Sequence, residues 1–162
     1  MNMTRKAAII GGGVIGGGWA ARFLLNGWNV SVFDPDPQAE RKISEVLANA
    51  RASLPALSDL PMCAEGQLSF AQTITEAVQG AHYIQESVSE RLDLKHRVFA
   101  QIQQSAELGT PIGSSTSGFK PSELQEGAAN PSVIFVAHPF NPVYLLPLAE
   151  VVPSPKSDAK VI

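Results

Sequence analysis

The strongest constraint on the fold is a glycine cluster set between a strand-like run and a helical pattern: Ile9-Ile10-Gly11-Gly12-Gly13-Val14-Ile15-Gly16. Gly11, Gly13 and Gly16 form G-x-G-x-x-G. The first glycine permits a tight turn out of the strand, the second lets the backbone approach a pyrophosphate, and the third allows close packing of helix on strand. The helix start behind such a loop offers unpaired N–H groups and the positive end of its dipole to phosphates. A glycine pattern alone is a weak signal. Here Ala7–Ile10 precedes it as a short apolar strand, a helix follows over about Val14–Asn26, and Asp34 closes a second strand, Asn29–Phe33, about 20 residues on. That context predicts a dinucleotide site, with the backbone of Gly11, Gly13, Val14, Ile15 and Gly16 at the phosphates. An acidic side chain at Asp34 accepts ribose hydroxyls and repels a 2′-phosphate, which favours NAD over NADP. Arg41 and Lys42 lie close enough in sequence to keep NADP open.

The rest of the chain keeps the same rhythm. Further strands are expected near Gln67–Ala71, Ala81–Gln85, Pro111–Ser114, Val133–Ala137 and Leu148–Val152. Helices are expected near Gln38–Ser53, Thr73–Val78, Arg91–Leu108 and from Ser122, with an irregular stretch over Leu54–Gly66. Alternating strands and helices predict an α/β, doubly wound, mostly parallel sheet of Rossmann type with helices on both faces. The 162 residues fit one domain at about 150 residues per domain. The balance of 12 Lys+Arg against 15 Asp+Glu gives a net charge of −3, which argues against nucleic acid as a partner. No apolar run approaches the ~20 residues of a membrane span. The N-terminal apolar stretch meets glycine too soon for a signal-peptide core, so a cytoplasmic location is expected. A single cysteine, Cys63, excludes an internal disulfide and a cysteine zinc cluster, and no metal site is expected. The tail from Pro153 to Ile162 reads as the approach to another element, as in a domain taken from a longer protein.

Two further segments carry chemistry. Val133–Pro142 sets His138 at the end of a buried strand, where open α/β sheets bind ligands. Glu150 stands in the apolar segment Leu145–Val152, where a carboxylate needs a partner or solvent. Spacing leaves two arrangements open: Glu150 folds back onto His138, or it faces water from an edge strand. The hydroxyl-rich turn Gly113–Gly118 either orients a substrate hydroxyl or caps itself.

Together these segments resemble the L-3-hydroxyacyl-CoA dehydrogenase family from about Ala7 to Val152. His138-Pro-Phe-Asn-Pro-Val143 is similar to that family's His-Phe-Phe-Asn-Pro-Val, and Leu148-Ala-Glu-Val-Val152 to its Leu-Val-Glu-Val. The likeness is nearest to its bacterial L-carnitine dehydrogenase branch, through Ile84–Lys95, Ile112–Gly118 and His138–Leu148. The resemblance implies Ser117 as catalytic serine, His138 as general base and Glu150 as its paired carboxylate. It implies Glu90 and Lys95 near the nicotinamide half of NAD, and Ser115 among the cofactor-binding residues. Ser117 and Asn141 would then belong to the substrate site. Phe140 and Tyr144 are candidates for an aromatic wall against a trimethylammonium group, or else core aromatics. Ser115 replaces an asparagine usual in the acyl-CoA enzymes, and Glu45 stands where those enzymes carry a lysine for the CoA tail. Both departures weaken the CoA reading and agree with a small-molecule substrate, and the resemblance implies L-carnitine oxidised to 3-dehydrocarnitine. A 3-hydroxyacyl-CoA such as 3-hydroxybutyryl-CoA, an L-gulonate-type substrate, and a non-catalytic NAD-binding module are the competing readings. The resemblance also implies a C-terminal helical domain, absent from this chain, through which the complete protein forms a homodimer.

Overall fold

The computed structural model describes residues 5–57, 59 and 61–162. Met1–Thr4, on which the N-terminal leader reading partly rests, and Ser58 and Leu60 of the irregular middle lie outside the described residues. The chain runs β1 (Lys6–Ile10), α1 (Val14–Leu25), β2 (Asn29–Phe33), α2 (Ala39–Ser53), β3 (Leu68–Phe70), α3 (Ile74–Val78) and β4 (Tyr83–Glu86). It continues through α4 (Leu92–Ser105), β5 (Ile112–Ser114), α5 (Pro121–Leu124), β6 (Ile134–Pro139) and β7 (Ala149–Val152), with single 3-10 turns at Leu54–Leu57 and Pro131–Val133. Among the described residues, one sheet holds seven strands in the order β3-β2-β1-β4-β5-β6-β7. The first six are parallel, and β7 runs antiparallel to β6 at the edge. This is the doubly wound Rossmann-type sheet that the strand–helix rhythm predicts.

Alternation along β1 divides the core. Ala8 and Ile10 pack with α3, α4, β4 and β5 through Val78, Ile84, Phe99 and Ile112. Ile9 faces the other way, onto α1 and α2, with Leu24, Ile43 and Leu47. β1 is apolar throughout its centre because both faces are covered. Helix α4 is shorter than its apolar periodicity predicts: it ends at Ser105, Ala106 turns extended (ψ 156°), and Leu108 is 94% exposed. Gly109 then makes the turn at φ +89°.

The strand order reverses between β1 and β4, and the loops leaving these strands meet there. Gly11, at φ +101°, lies so close to the next loop that a Cβ would stand 2.6 Å from the Ser87 carbonyl carbon. A Cβ at Gly16 would stand 1.8 Å from the Gly11 carbonyl oxygen, so α1 starts directly against the loop.

A buried ionic cluster fixes the neighbouring strand ends. Glu86, at the end of β4, is 0% exposed, and Lys95 in α4 is 1% exposed. Lys95 Nζ lies 2.8 Å from Glu86 Oε1 and donates also to the Val88 carbonyl at 3.3 Å. Ser114 Oγ at the end of β5 donates to Glu86 Oε2 at 2.5 Å, and the Val88 N–H donates to Oε1 at 2.8 Å. A buried carboxylate with this many donors is well satisfied, which is what makes its burial tolerable. Lys95 also lies 3.3 Å from Glu90 Oε2. Glu90 in turn accepts from the Thr116 hydroxyl and the Gly118 N–H. Partial burial pushes the Glu90 carboxyl up, but the Thr116 hydroxyl, the Lys95 charge and the Gly118 N–H outweigh it and hold it below the usual carboxylate range.

Two outcomes follow from this cluster. Lys95→Met leaves Glu86 buried without its cation and is expected to cost about 3–5 kcal/mol in urea unfolding; a loss under 1 kcal/mol contradicts the pairing. Because the folded pKa of Glu90 is lowered, its contribution is present above the unfolded value of about 4.3 and lost as pH falls through the folded value. Glu90→Gln should therefore flatten the acid limb of stability against pH below about pH 5, and an unchanged slope counts against the contacts described for Glu90.

Candidate active site

Among the clefts at the carboxyl ends of the parallel strands, two carry the expected residues. The first, about 360 Å³, is lined by Gly11, Gly13, Phe33, Asp34, Ser87 and Val88 among others. Gly13 caps α1 without a side-chain hydrogen bond, and no acidic residue occupies the first turn. A Cβ built at Gly13 meets nothing within 4 Å, so the backbone there is bare toward the cleft. Val14 is 67% exposed beside it, Ile15 is half-buried, and Gly16 is buried in the helix–strand contact. Unpaired N–H groups at a helix start, with no side chain in front of them, fit a pyrophosphate.

Asp34 is half-buried and anchored: Oδ2 accepts from the Gly12 N–H at 2.5 Å and Oδ1 from the Asp36 N–H at 2.7 Å. Each carboxylate oxygen keeps a further lone pair for a ribose hydroxyl. Arg41 is paired with Glu45, and Lys42 lies 2.6 Å from Asp36. Both cations that kept NADP open are thus engaged by acidic neighbours, and Asp34 stands in the cleft. The residues present fit NAD.

The second cleft, about 270 Å³, is lined by Thr116, Ser117, Lys120, His138, Glu150 and Val152 among others. It brings together the three residues expected to do chemistry. Antiparallel pairing sets His138 directly opposite Glu150 across β6 and β7. His138 Nδ1 lies 3.3 Å from Glu150 Oε2. That is ion-pair distance, but off the line a hydrogen bond needs, since Nδ1 is shielded from water and has no hydrogen-bond partner. The Glu150 side chain is 61% exposed against 29% for His138, so the carboxylate has room to turn onto the ring. The two arrangements left open by the sequence both hold: Glu150 lies on an edge strand facing solvent, and it faces His138.

The remaining expected residues divide. The Phe140 ring stands edge-on to the His138 ring, with centroids 5.8 Å apart, and is 37% exposed, but neither it nor Asn141 lines this cleft. Asn141 is exposed at the start of the following turn. Tyr144 does not line this cleft: it packs on the α1–α2 layer, and Arg22 Nη1 donates to its carbonyl at 3.2 Å, drawing the turn back onto α1. Lys95 lines neither cleft, because its ammonium is committed to Glu86, Glu90 and Val88. Ser115 Oγ lies 2.8 Å from Ser87 Oγ and so meets the first cleft through that residue. Away from the clefts, Trp19 packs against the α1–α2 layer, His82 accepts the Lys6 N–H and His96 bonds the Glu123 carbonyl.

Sequence reading passed over Glu86, Gln85 and Tyr83, which tie these strand ends together. Their signal was available: three polar-bearing residues in a four-residue strand at the centre of a buried sheet, where unpaired polar groups are costly.

Comparison with known proteins adds to this geometry. Residues 6–162 match the family described as 3-hydroxyacyl-CoA dehydrogenase, NAD binding domain. A relative from Ruegeria pomeroyi, named L-carnitine dehydrogenase/betainyl-CoA thioesterase, is 69% identical over 96% of this chain and 32% of its own length. One from Mesorhizobium japonicum, named L-carnitine dehydrogenase, is 56% identical over 94% of this chain and 42% of its own length. The chain therefore spans between about a third and under half of these relatives. Among solved structures, an NAD+-dependent dehydrogenase of 5-formyl-3-hydroxy-2-methylpyridine 4-carboxylic acid superposes with TM-score 0.89 at 32% identity, over 98% of this chain and 52% of that one. The Escherichia coli 3-hydroxybutyryl-CoA dehydrogenase superposes with TM-score 0.84 at 26% identity, over 98% of this chain and 34% of that one. Among the described residues no helix is long and apolar enough to cross a membrane. With a match that begins at the first strand and runs to Ile162, the chain belongs to the NAD-binding domain family of the 3-hydroxyacyl-CoA dehydrogenases.

Proposed function

We propose that this chain is the cofactor-binding and proton-transfer domain of an NAD-dependent L-carnitine dehydrogenase, which oxidises the 3-hydroxy group to 3-dehydrocarnitine. The observation that carries the reading is the His138–Glu150 pair, in register across β6 and β7 at a cleft shared with Ser117. Bound NAD supplies the hydride acceptor. The chain's own residues handle the proton. With Nδ1 turned toward Glu150, Nε2 is the nitrogen left to take the substrate hydroxyl proton. Glu150 stabilises the imidazolium that forms and fixes the ring tautomer, as a carboxylate beside a catalytic histidine does. Ser117 is exposed at the hydroxyl turn and aligns the substrate oxygen. Phe140 presents a ring beside His138 that suits a quaternary ammonium.

Three observations support the small cationic substrate over a CoA ester. Glu45, at the position where the acyl-CoA enzymes carry a lysine, is acidic and bound to Arg41. Phe140 places a partly exposed aromatic ring next to His138. The relatives at 69% and 56% identity carry the L-carnitine name. The proposal includes a homodimer formed through a helical domain beyond this chain and a cytoplasmic location.

The test is NADH formation by the full-length protein with NAD and either L-carnitine or L-3-hydroxybutyryl-CoA. Turnover with carnitine alone supports the proposal, and turnover with the CoA ester alone overturns the substrate assignment. His138→Ala is expected to lower kcat by about 10²–10⁴-fold, the usual worth of positioned proton transfer, while NADH affinity stays close to wild type. An unchanged kcat removes His138 from the reaction.

A further inference from the structure

Gln85 is 0% exposed on β4, yet no part of the proton-transfer scheme uses it. Its amide lies in a chain of hydrogen bonds that crosses the sheet. Tyr83 Oη lies 2.5 Å from Gln85 Oε1. Gln85 Nε2 lies 2.8 Å from Ser115 Oγ and 3.3 Å from the Ala137 carbonyl oxygen. Ser115 Oγ lies 2.8 Å from Ser87 Oγ, which lines the NAD cleft.

The sense of this chain is determined by its members. The Ala137 carbonyl can only accept, so the amide nitrogen must face it and the amide oxygen must face Tyr83. Burial pushes the Tyr83 hydroxyl pKa up, which keeps the phenol protonated as the donor to that oxygen. Ser115 Oγ then accepts from Gln85, and its remaining bond is shared with the Ser87 hydroxyl at the cleft, either oxygen donating.

The amide reaches two strands away only because β5 offers no side chain in its path. Gln85 pairs with Gly113, and Gly113 with Phe135, in the sheet register. A Cβ at Gly113 would stand 2.2 Å from Tyr83 Oη, 2.8 Å from the Ala137 Cβ and 2.9 Å from Gln85 Oε1. Ala137 is the residue before His138. One buried amide therefore links the strand end carrying the hydroxyl turn to the strand end carrying the histidine.

We propose that Gln85, oriented by Tyr83 and given room by Gly113, is a positioning residue that holds the Ser115 and Ser87 hydroxyls at the NAD cleft and holds His138 in register with them. The inference rests on the NAD-dehydrogenase reading above. It is tested on the full-length protein by NADH fluorescence titration, with thermal midpoints recorded alongside. Gln85→Leu keeps the side-chain bulk and removes both donors. It is expected to raise the NADH dissociation constant about tenfold, the worth of one buried hydrogen bond. Tyr83→Phe, which removes only a hydroxyl, should raise it in the same direction by less. In a double-mutant cycle with Ser115→Ala, the Gln85→Leu effect should largely vanish, because its action passes through Ser115.

Additive effects overturn the proposal, as does a fall in thermal midpoint with unchanged NADH affinity, since packing alone would produce either. If Gln85→Leu does not fold, the Tyr83→Phe and Ser115→Ala cycle decides in the same way, and an unchanged affinity in Tyr83→Phe overturns the proposal. Wild-type protein that binds NADH but oxidises no 3-hydroxy substrate overturns the dehydrogenase reading and, with it, the link to His138. A protein that binds no NADH overturns both readings.

Discussion

The site depends on a carboxylate that water does not reach. Glu86 ends β4 at the point where the strand order reverses, and every group that satisfies it comes from a different part of the chain: Lys95 from α4, Ser114 from β5 and the Val88 N–H from the following loop. A buried charge must be paired and hydrogen-bonded, so these elements have little freedom to move apart. Through Lys95 the same cluster holds Glu90, and through Glu90 it holds Thr116 and Gly118. The hydroxyl turn that carries Ser117 is thus tied to the loop that faces the cofactor cleft. Positioning comes from the interior of the domain, while of the residues proposed for the chemistry Ser117 and Glu150 are exposed and His138 is half-buried.

The two clefts use the sheet differently. The first is a product of parallel topology. The β1 and β4 loops diverge at the switch point, a helix N-terminus points into the gap, and glycines at 11, 13 and 16 keep side chains out of it. The second depends on the one antiparallel strand. Because β7 returns alongside β6, His138 and Glu150, the pair proposed for proton transfer, become direct cross-strand neighbours. Directly opposed residues in an antiparallel pair interact strongly, and a shift of one residue in register would place Val151 there instead. Edge placement leaves Glu150 exposed and able to turn, whereas His138 is more enclosed.

Much of this was legible in the sequence, for identifiable reasons. The glycine spacing, the strand before it and Asp34 after it specify the first cleft, because each residue has a local steric or charge role. The continuous apolar run Val133–Ala137 announces a strand buried on both faces, and the histidine at its end follows from the rule that ligands bind at carboxyl ends. The α4 boundary was less legible, since apolar periodicity continues past Ser105 while the backbone does not. The inner polar network was not read at all. Tyr83, Gln85, Glu86 and Val88 are near neighbours in sequence, but their network closes only through distant residues such as Ser114, Ser115 and Ala137. Tyr144 shows the opposite limit. Its closeness to His138 in sequence suggested a shared wall, yet the turn between them carries it to the far face of the sheet.

The central claim is that the NAD cleft and the His138–Glu150 cleft serve one reaction. A crystal structure of the full-length protein with NAD and L-carnitine tests it most directly. The account predicts the pyrophosphate on the Gly11–Gly16 loop, the nicotinamide beside Ser115, and the substrate hydroxyl within hydrogen-bond reach of both His138 Nε2 and Ser117. A dinucleotide seated on that loop with its nicotinamide turned away from His138, or a substrate bound away from Ser117, would contradict it.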